Sequence, residues 1–528
     1  MTAVTSTDAG TRPDVCPPTR WLRPATLVVL GLTAIAMLAF VLVGRINADE
    51  GWYLYAGRLA WRFELPYRDF SFTQMPLMPY VYGPFQQIFP SLVLGRVLSV
   101  VLGFGGIVLC VRAARRLGGD WAAFAVAVLC AGFTTGLYNL ALSKTYALVL
   151  LCFAATLAAL TSRLPPSRAW PLACVAAWAA TFARTSSLPL TVLVVGYCLW
   201  RAPDLTTRRR VGGVGVVGAV VAAGFLLASP TNARFDLFTF HQLLWYRASS
   251  ATRLDKIVTD RLPEWAGDYP IALAVLVAAI VVGLTVSRIR ETLRTQPAPV
   301  IVGLGAIGYL VLQLPAGQFA PVEYATPMVP VVFAVSIPVL VRAFGTRVDR
   351  ASTRSWLAIA GLGLVAVFGA LHPAPWNDVV RPGGAGGILH QEDLASLLRD
   401  RTRPDDEVLA MWAQPIVLAS GRDFTPDVTL GPFSYEDLTS ARAHQLHYVN
   451  ARLLRRLLEA RRPGAVVLTD IDRLVLHFQG TLSQDRADAR LVFDALAANY
   501  RCVDTSTTWG IDGPVGLEIY LRRGKTRP

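Results

Sequence analysis

Long apolar runs alternate with short polar segments over roughly the first 370 residues of the chain. Most runs approach the roughly 20 residues that a helix needs to cross a bilayer, so the runs predict about eleven membrane-spanning helices. The short runs on either side of Arg184-Thr185-Ser186 could instead be one re-entrant element, but a charge beside Thr and Ser fits a tight turn better than a helix centre, so we count two helices. The predicted spans are Ala25–Gly44, Ser91–Val111, Trp121–Leu137, Tyr146–Thr161, Trp170–Ala183, Leu188–Trp200, Val211–Ala228, Ile271–Ser287, Val300–Leu314, Thr326–Val341 and Trp356–Leu371. The pattern therefore predicts a polytopic α-helical membrane protein.

Two segments between predicted spans are long enough to carry structure of their own, Arg45–Pro90 and Ser229–Pro270. In the first, an apolar stripe at helical spacing opposes charged residues and predicts a helix lying in the membrane interface and ending at Pro66. The stripe consists of Trp52, Tyr55, Leu59 and Phe63, opposite Arg58, Arg62 and Glu64. In the second, the aromatic-rich stretch from Phe235 to Tyr246 predicts another interfacial element.

The hydrophobic pattern ends near Pro373, where prolines and glycines predict a linker over 373–389. Beyond it, residues 390–528 alternate between helical and strand patterns, which predicts a small α/β domain with a partly parallel sheet. Its predicted elements are helices at Gln391–Arg401, His447–Arg461 and Arg486–Asn499, and strands at Glu407–Trp412, Ala465–Asp470, Arg501–Asp504 and Gly516–Arg522. We therefore expect an N-terminal tail (1–24), a transmembrane domain (25–372), a linker and this domain.

The charges predict the orientation of the chain. Lys plus Arg is 50 and Asp plus Glu is 36, which gives a net charge of +14. The arginines cluster in alternate loops, and by the positive-inside rule this places the N-terminus in the cytoplasm and the C-terminal domain outside the cell membrane. Because the basic residues lie in short loops between apolar runs, we expect no nucleic-acid partner. The chain is 53% hydrophobic and 16% charged, against a usual charged share of roughly 25%, as expected of a membrane protein.

Two adjacent carboxylates, Asp49 and Glu50, follow the first predicted span and are the first candidates for chemistry. A carboxylate at this depth suits a base that accepts a proton from a hydroxyl while a lipid-held leaving group stays in the bilayer. A purely structural interpretation is equally open, with Asp49 as a helix cap and Glu50 complementing the helix dipole.

Several basic and aromatic residues at the outer ends of later spans are further candidates. Lys144, in a chain with three lysines, is predicted to contact a phosphate rather than only to extend toward the interface. Arg184 lies beside Thr185 and Ser186, and either a polar cavity or lipid headgroups could receive it. Weaker candidates in the outer segments are His241, Arg247, Glu323 and Tyr324. The cysteines have no metal-ligand spacing, the histidines show no HExxH pattern, and no phosphate-binding glycine loop is present. His444 and His447 are three residues apart, a spacing that can bind a metal on a helix, but here we expect them only to begin a helix.

Three short motifs in the first outer segment carry a resemblance to a known family. They are Asp49-Glu50-Gly51-Trp52-Tyr53, Pro66-Tyr67-Arg68-Asp69-Phe70, and Gln74-Met75-Pro76-Leu77 with Tyr80. Together they resemble the first outer loop of the GT-C membrane glycosyltransferases, in the branch of protein O-mannosyltransferases, lipid A aminoarabinose transferases and Rgt-type envelope sugar transferases. The resemblance extends from about Arg45 to Trp200. Gln74-Met75-Pro76 and Glu323-Tyr324 depart from the pattern of many relatives.

The resemblance implies an inverting glycosyltransferase that moves one sugar from a polyprenyl-phosphate donor to an envelope glycan, lipid or protein on the outer face of the membrane. It implies Asp49 as the base, Glu50 as its neighbouring acid, and Lys144 and Arg184 as ligands of the carrier phosphate. Further substrate-binding candidates are Tyr53, Arg68, Asp69, Gln74, His241, Arg247, Glu323 and Tyr324. No cofactor is evident, and a divalent cation shared by the two acids stays open. The alternatives are a lipid-linked sugar flippase and a non-catalytic scaffold that binds envelope glycan.

Overall fold

A computed structural model gives the fold of the chain, which is mainly helical with one small C-terminal sheet. It describes residues 21–43, 45–243, 255–314, 322–344, 387–478, 486–510 and 514–523, with positions 361, 363, 364 and 367. The helices of the first half are α1 (Leu22–Val43), α2 (Ala48–Trp61), α3 (Leu77–Ile88), α4 (Leu92–Gly132), α5 (Thr134–Ala141), α6 (Thr145–Leu160), α7 (Pro166–Ala183), α8 (Leu188–Arg201) and α9 (Leu205–Ala228). Further apolar helices follow at Pro270–Thr285, Ala298–Gln313 and Met328–Phe344.

The chain is a multi-pass membrane protein, and ten of the predicted spans coincide with these helices. By length and composition alone, three described helices can cross a membrane, and counting three sharply bent helix pairs as single spans raises the number to six. The eleventh predicted span, Trp356–Leu371, lies almost wholly outside the described residues. The second and third predicted spans form α4, which breaks at Gly119, where a φ of 79° favours glycine.

The first outer segment forms α2 and α3, and its position differs from the predicted interfacial helix. Helix α2 ends at Trp61, so Phe63 lies beyond it and is 90% exposed, whereas Arg58 is buried. The reason is that α2 is covered on one side by α3 and on the other by a helix of the C-terminal domain, Gln414–Ser420. The face expected to meet lipid or water is therefore an internal interface.

The C-terminal domain contains a five-stranded sheet with the order β2-β1-β3-β5-β4. The strands are β1 (Glu407–Ala410), β2 (Asp423–Phe424), β3 (Ala465–Thr469), β4 (Tyr500–Gly510) and β5 (Pro514–Arg522). Strand β1 pairs in parallel with β2 and β3, while β5 is antiparallel to β3 and β4. The helices of this domain are Gly387–Arg401, Gln414–Ser420, Ser440–Leu446, Ala451–Glu459, Asp470–Phe478 and Arg486–Asn499. The predicted α/β domain with a partly parallel sheet is confirmed.

The second outer segment also packs against this domain. Phe235 and Phe240 are buried, and both rings lie edge-on or tilted against the ring of Tyr448. The predicted interfacial element over Phe235–Tyr246 therefore turns Phe235, Leu237 and Phe240 into the protein, whereas Phe238 is exposed. Its part beyond Leu243 lies outside the described residues.

Candidate active site

Asp49 occupies the first turn of α2, immediately outside the first membrane span. Asn47 caps this helix through its side chain, which accepts a hydrogen bond from the Asp49 backbone amide at 3.1 Å. The Asp49 side chain points away from that cap: Oδ1 accepts a hydrogen bond from Trp52 Nε1, and Oδ2 lies 2.9 Å from Lys144 Nζ. The carboxylate is 28% exposed, so a substrate can reach it.

Lys144 precedes α6 and lies between two carboxylates that come from distant parts of the chain. Its Nζ is 2.9 Å from Asp49 Oδ2 and 2.6 Å from Glu323 Oε1. The hydroxyl of Tyr146 donates a second hydrogen bond to Glu323 at 2.9 Å. The Lys144 side chain is only 3% exposed, so its charge is held inside the protein by these partners rather than extended into the interface.

Arg184 follows the last residue of α7 and is buried next to Lys144 in the same group. Its guanidinium donates hydrogen bonds to Thr145 Oγ1 and Gln313 Oε1, at 3.0 and 3.2 Å. It lies 4.5 Å above the ring centroid of Tyr324, within the range of a cation–π contact. Its Nε has no hydrogen-bond partner among the described residues, which leaves a buried donor available for an anionic ligand.

Glu50 does not face this group, and the catalytic role expected for it does not fit its geometry. Its side chain is fully buried, and both oxygens accept from Arg96, at 2.9 Å from Nε and 2.6 Å from Nη2. Glu50 also accepts the backbone amides of Asn47 and Ser143. Since these contacts use the lone pairs of both oxygens, Glu50 is a positioning residue.

The same contacts explain how Asp49 and Lys144 come to face each other. The Ser143 amide donates a hydrogen bond of 2.8 Å to Glu50. Because Glu50 is next to Asp49 in sequence and Ser143 is next to Lys144, this bond holds Asp49 close to Lys144. Arg96 adds contacts to the carbonyls of Val41 and Arg45 at the end of α1. The buried ion pair thus ties α1, α2, α4 and the start of α6 at one point.

Some of the remaining predicted residues lie near this group. The ring of Tyr53 stacks on Trp52, and Arg184, Asp49 and Lys144 all act on it electrostatically. His241 contacts the carbonyl oxygen of Thr73 at 3.1 Å. Burial lowers the pKa of His241, and the charge of Arg184 acts in the same direction. Gln74 is buried, and its carbonyl accepts the Tyr67 hydroxyl.

Others do not join the group. Arg68 and Asp69 form an ion pair with each other, and Asp69 also accepts the Leu65 amide, so they stabilise a turn. The backbone carbonyl of Arg68 contacts His447 of the C-terminal domain. Arg247 lies outside the described residues. Within the described ranges, no three His, Cys, Asp or Glu side chains come together as a metal site.

Sequence reasoning missed Arg96, Ser143 and Gln313. Arg96 is a lone charge inside the apolar run Ser91–Val111, and such charges usually pair within the protein. That signal was present in the sequence. For Ser143 and Gln313 no signal existed, because their roles depend on contacts with residues that are distant in sequence.

Comparison with known proteins supports the architecture. No protein-family model matches the sequence, and no curated protein matches it. Among solved structures, ArnT from Cupriavidus metallidurans bound to undecaprenyl phosphate is similar, with 15% identity, a TM-score of 0.54, and coverage of 95% of this chain and 98% of that one. The same enzyme in the apo state aligns with 14% identity, a TM-score of 0.53 and the same coverage. This chain has the GT-C fold. The resemblance inferred from the first outer segment is therefore confirmed at the level of fold.

Proposed function

We propose that this protein is an inverting glycosyltransferase that moves one sugar from a polyprenyl-phosphate donor to a cell-envelope acceptor. The observation that carries the proposal is the group formed by Asp49, Lys144, Arg184 and Glu323. These residues come from four separate segments, and they place one accessible carboxylate beside two buried cations directly outside the first membrane span. Structural similarity to ArnT bound to undecaprenyl phosphate supports a lipid phosphate as the ligand of those cations.

In the proposed reaction Asp49 accepts the proton of an acceptor hydroxyl. The hydroxyl oxygen attacks the anomeric carbon as the bond from that carbon to the phosphate oxygen breaks. The electron pair leaves with the polyprenyl phosphate, on the face opposite the attack, so the configuration inverts. The new glycosidic bond replaces the bond to phosphate, and the proton stays on Asp49 until it passes to solvent.

Lys144 and Arg184 stabilise the charge that develops on the departing phosphate. Such preorganised donors contribute on the order of 3 kcal/mol each in sites from which water is excluded. The Nε of Arg184, which has no partner among the described residues, can donate a hydrogen bond to a phosphate oxygen. Lys144 can bind the phosphate when the incoming anion takes the place of Glu323. Tyr324, against which Arg184 packs, keeps the guanidinium in place.

The proposed location follows from the same arrangement. The carrier lipid stays in the bilayer of the cell membrane while its phosphate reaches Lys144 and Arg184, and the acceptor arrives from the aqueous side. The N-terminus would then be cytoplasmic and the C-terminal domain extracytoplasmic, as the distribution of arginine predicts.

A transfer assay tests the proposal. The full-length protein in nanodiscs is incubated with a panel of radiolabelled polyprenyl-phosphate sugars and envelope extracts, and incorporation of label into the acceptor fraction is measured. We expect transfer by the wild type and loss of at least 1000-fold in Asp49→Asn, while Asp255→Asn, which changes an exposed acid of the second outer segment, keeps full activity. A flippase or scaffold would move no label into acceptors. Wild-type activity retained in Asp49→Asn would remove Asp49 from the mechanism.

A further inference from the structure

A polar cleft of about 720 Å³ lies on the C-terminal domain, at the end of the sheet where β1 and β3 begin. It is separate from the group around Asp49 and shares no residue with it. Charged side chains dominate its walls. The lining residues are Asp400, Arg401, Thr402, Arg403, Asp406, Ala460, Arg461, Gly464, Arg501, Leu521, Arg522 and Arg523. Its volume lies within the range of small-ligand sites, roughly 300–1,000 Å³.

Three of the arginines in this cleft are held in place by the protein. Arg522 donates to the carbonyl of Arg461 and to Asp406 Oδ1, at 3.1 and 3.2 Å. Arg461 donates from Nε to Asn499, and Arg523 donates from Nε to the Tyr500 carbonyl. Each guanidinium has five N–H groups, and these contacts leave several of them for a ligand while fixing the direction in which they point.

The other three arginines, Arg401, Arg403 and Arg501, are exposed. Their side chains have no hydrogen-bond or ion-pair partner among the described residues. Arg401 is the last residue of the helix Gly387–Arg401, Arg403 lies two residues beyond it, and Arg501 is the second residue of β4. The cleft therefore combines fixed donors with free ones.

The carboxylates in the cleft do not balance this charge. Asp406 is engaged by Arg522 and by the backbone amide of Arg403, at 2.8 Å. Asp400 is the second acid of the lining, against six guanidinium groups. Guanidinium groups bind phosphate and carboxylate in a bidentate geometry, so a concave cluster of this kind is complementary to an anion with several charges.

We propose that this cleft binds a saccharide that carries phosphate or carboxylate groups, as a second binding site outside the catalytic group. The lining contains no aromatic ring on which a nucleic-acid base could stack, and its only larger apolar side chain is Leu521. A ligand that is polar throughout and bears closely spaced negative charges fits these walls. The proposal is independent of the proposed glycosyltransferase activity, because binding is measured without donor or turnover.

The test uses the full-length protein in nanodiscs of uncharged phosphatidylcholine, with trigalacturonate and inorganic pyrophosphate as probes in calorimetric titrations. The cleft variant is Arg401→Gln/Arg403→Gln/Arg501→Gln. The matched control is Arg452→Gln/Arg456→Gln/Arg490→Gln, which removes the same charge from three exposed arginines of the same domain that do not line the cleft. We expect the wild type and the control to bind trigalacturonate with Kd values within twofold of each other, and the cleft variant to bind at least tenfold more weakly.

Other outcomes overturn the proposal. Equal weakening by both triple variants would mean attraction by net charge alone. Binding of neutral maltotriose with the same affinity would mean that charge is not what the cleft recognises. If neither soluble probe binds while nanodiscs containing anionic phospholipid protect Arg401 from chemical modification, the cleft is a lipid-headgroup site and the saccharide assignment is wrong.

Discussion

At the scale of single residues, the central feature is that the ammonium group of Lys144 forms ion pairs with two carboxylates. Lys144 Nζ contacts both Asp49 Oδ2 and Glu323 Oε1, and Arg184 donates to the residue after Lys144, Thr145. Glu323 therefore lies where an incoming phosphate would meet Lys144. In the proposed reaction Glu323 would act as a resident anion that keeps a buried lysine paired until the donor phosphate replaces it.

This leads to a prediction for Glu323→Gln. Removing the negative charge leaves the amide able to accept from Lys144 and Tyr146, but it no longer competes with a phosphate. A charge–charge contact at 4 Å is worth roughly 1 kcal/mol even in water, and this site is largely shielded from water, so undecaprenyl phosphate should bind at least about fivefold more tightly. The measurement is tryptophan fluorescence titration of the full-length protein with undecaprenyl phosphate.

Glu291→Gln is the control for that experiment. Glu291 is an exposed acid, and among the described residues it pairs only with Arg294. Its affinity for the lipid should equal that of the wild type. Weaker lipid binding by Glu323→Gln would show instead that Glu323 holds Lys144 in position. The proposal that phosphate replaces Glu323 at Lys144 would then be wrong.

At the scale of elements, hydrophobic patterning predicted most helices to within a few residues. α1, α6 and α7 each end within one residue of the predicted C-terminal boundary, because a long apolar run has few alternatives in a bilayer. In the C-terminal domain the helix Arg486–Asn499 and strand β3 were predicted equally well. Asp49 and Lys144 were found because charges at the ends of spans are conspicuous.

The contacts between elements could not be predicted in the same way. The helical stripe on α2 was recognised, but what covers it is a domain about 360 residues further along the chain. Likewise, the pairing of Glu50 with Arg96 depends on how α2 meets α4, and neither local pattern contains that information. This is why Glu50 was expected to face the same site as Asp49, whereas its buried side chain is held by Arg96 and by backbone amides.

The contact between α2 and the C-terminal domain gives a prediction for Gly51→Ala. A Cβ at Gly51 would lie 2.7 Å from the Cβ of Gln414 and 2.9 Å from the backbone nitrogen of Pro415, so the two surfaces would have to separate. Overpacking of this kind costs about 1–3 kcal/mol, and the melting temperature in detergent should fall. Gly224→Ala, at a glycine of α9 with open space around its Cβ position, should not lower it, because alanine favours a helix more than glycine does. A melting temperature equal to that of the wild type would mean that this interface is not tightly packed.

At the scale of the whole molecule, buried ionisable groups join the outer segments to the C-terminal domain. Asp236 is fully buried and accepts hydrogen bonds from the Phe72 amide and the Tyr448 hydroxyl, at 3.0 and 2.9 Å. Burial raises the pKa of Asp236 to about 8, although both hydrogen bonds and the neighbouring His447 act in the opposite direction. For His447 burial lowers the pKa, but hydrogen bonds to Asp427 and the Arg68 carbonyl outweigh it, and the net pKa is raised.

Both shifts make this junction less stable at alkaline pH. The folded protein keeps a proton on Asp236 up to about pH 8, whereas the unfolded chain has lost it by about pH 5, so unfolding releases a proton and rising pH favours unfolding. We expect the melting temperature of the wild type to fall between pH 6 and pH 9. In Asp236→Asn the fall should be smaller, while Asp405→Asn, a change at an exposed acid, should keep the wild-type slope. An unchanged slope in Asp236→Asn would show that Asp236 is not the titrating group.

The position of this domain relative to the bilayer gives the last prediction. In the proposed reaction the acceptor reaches Asp49 from the side of the membrane on which the C-terminal domain lies, so the orientation of the chain would decide which substrates are available. Cys502 is exposed in the C-terminal domain, the cysteines of α4, α6, α7 and α8 are buried, and Cys16 lies in the predicted cytoplasmic tail. A membrane-impermeant maleimide applied to intact cells should therefore label Cys16→Ser and leave Cys502→Ser unlabelled until the cells are permeabilised. The reverse pattern would place the candidate site on the cytoplasmic face, where a carrier lipid of the outer leaflet could not reach it.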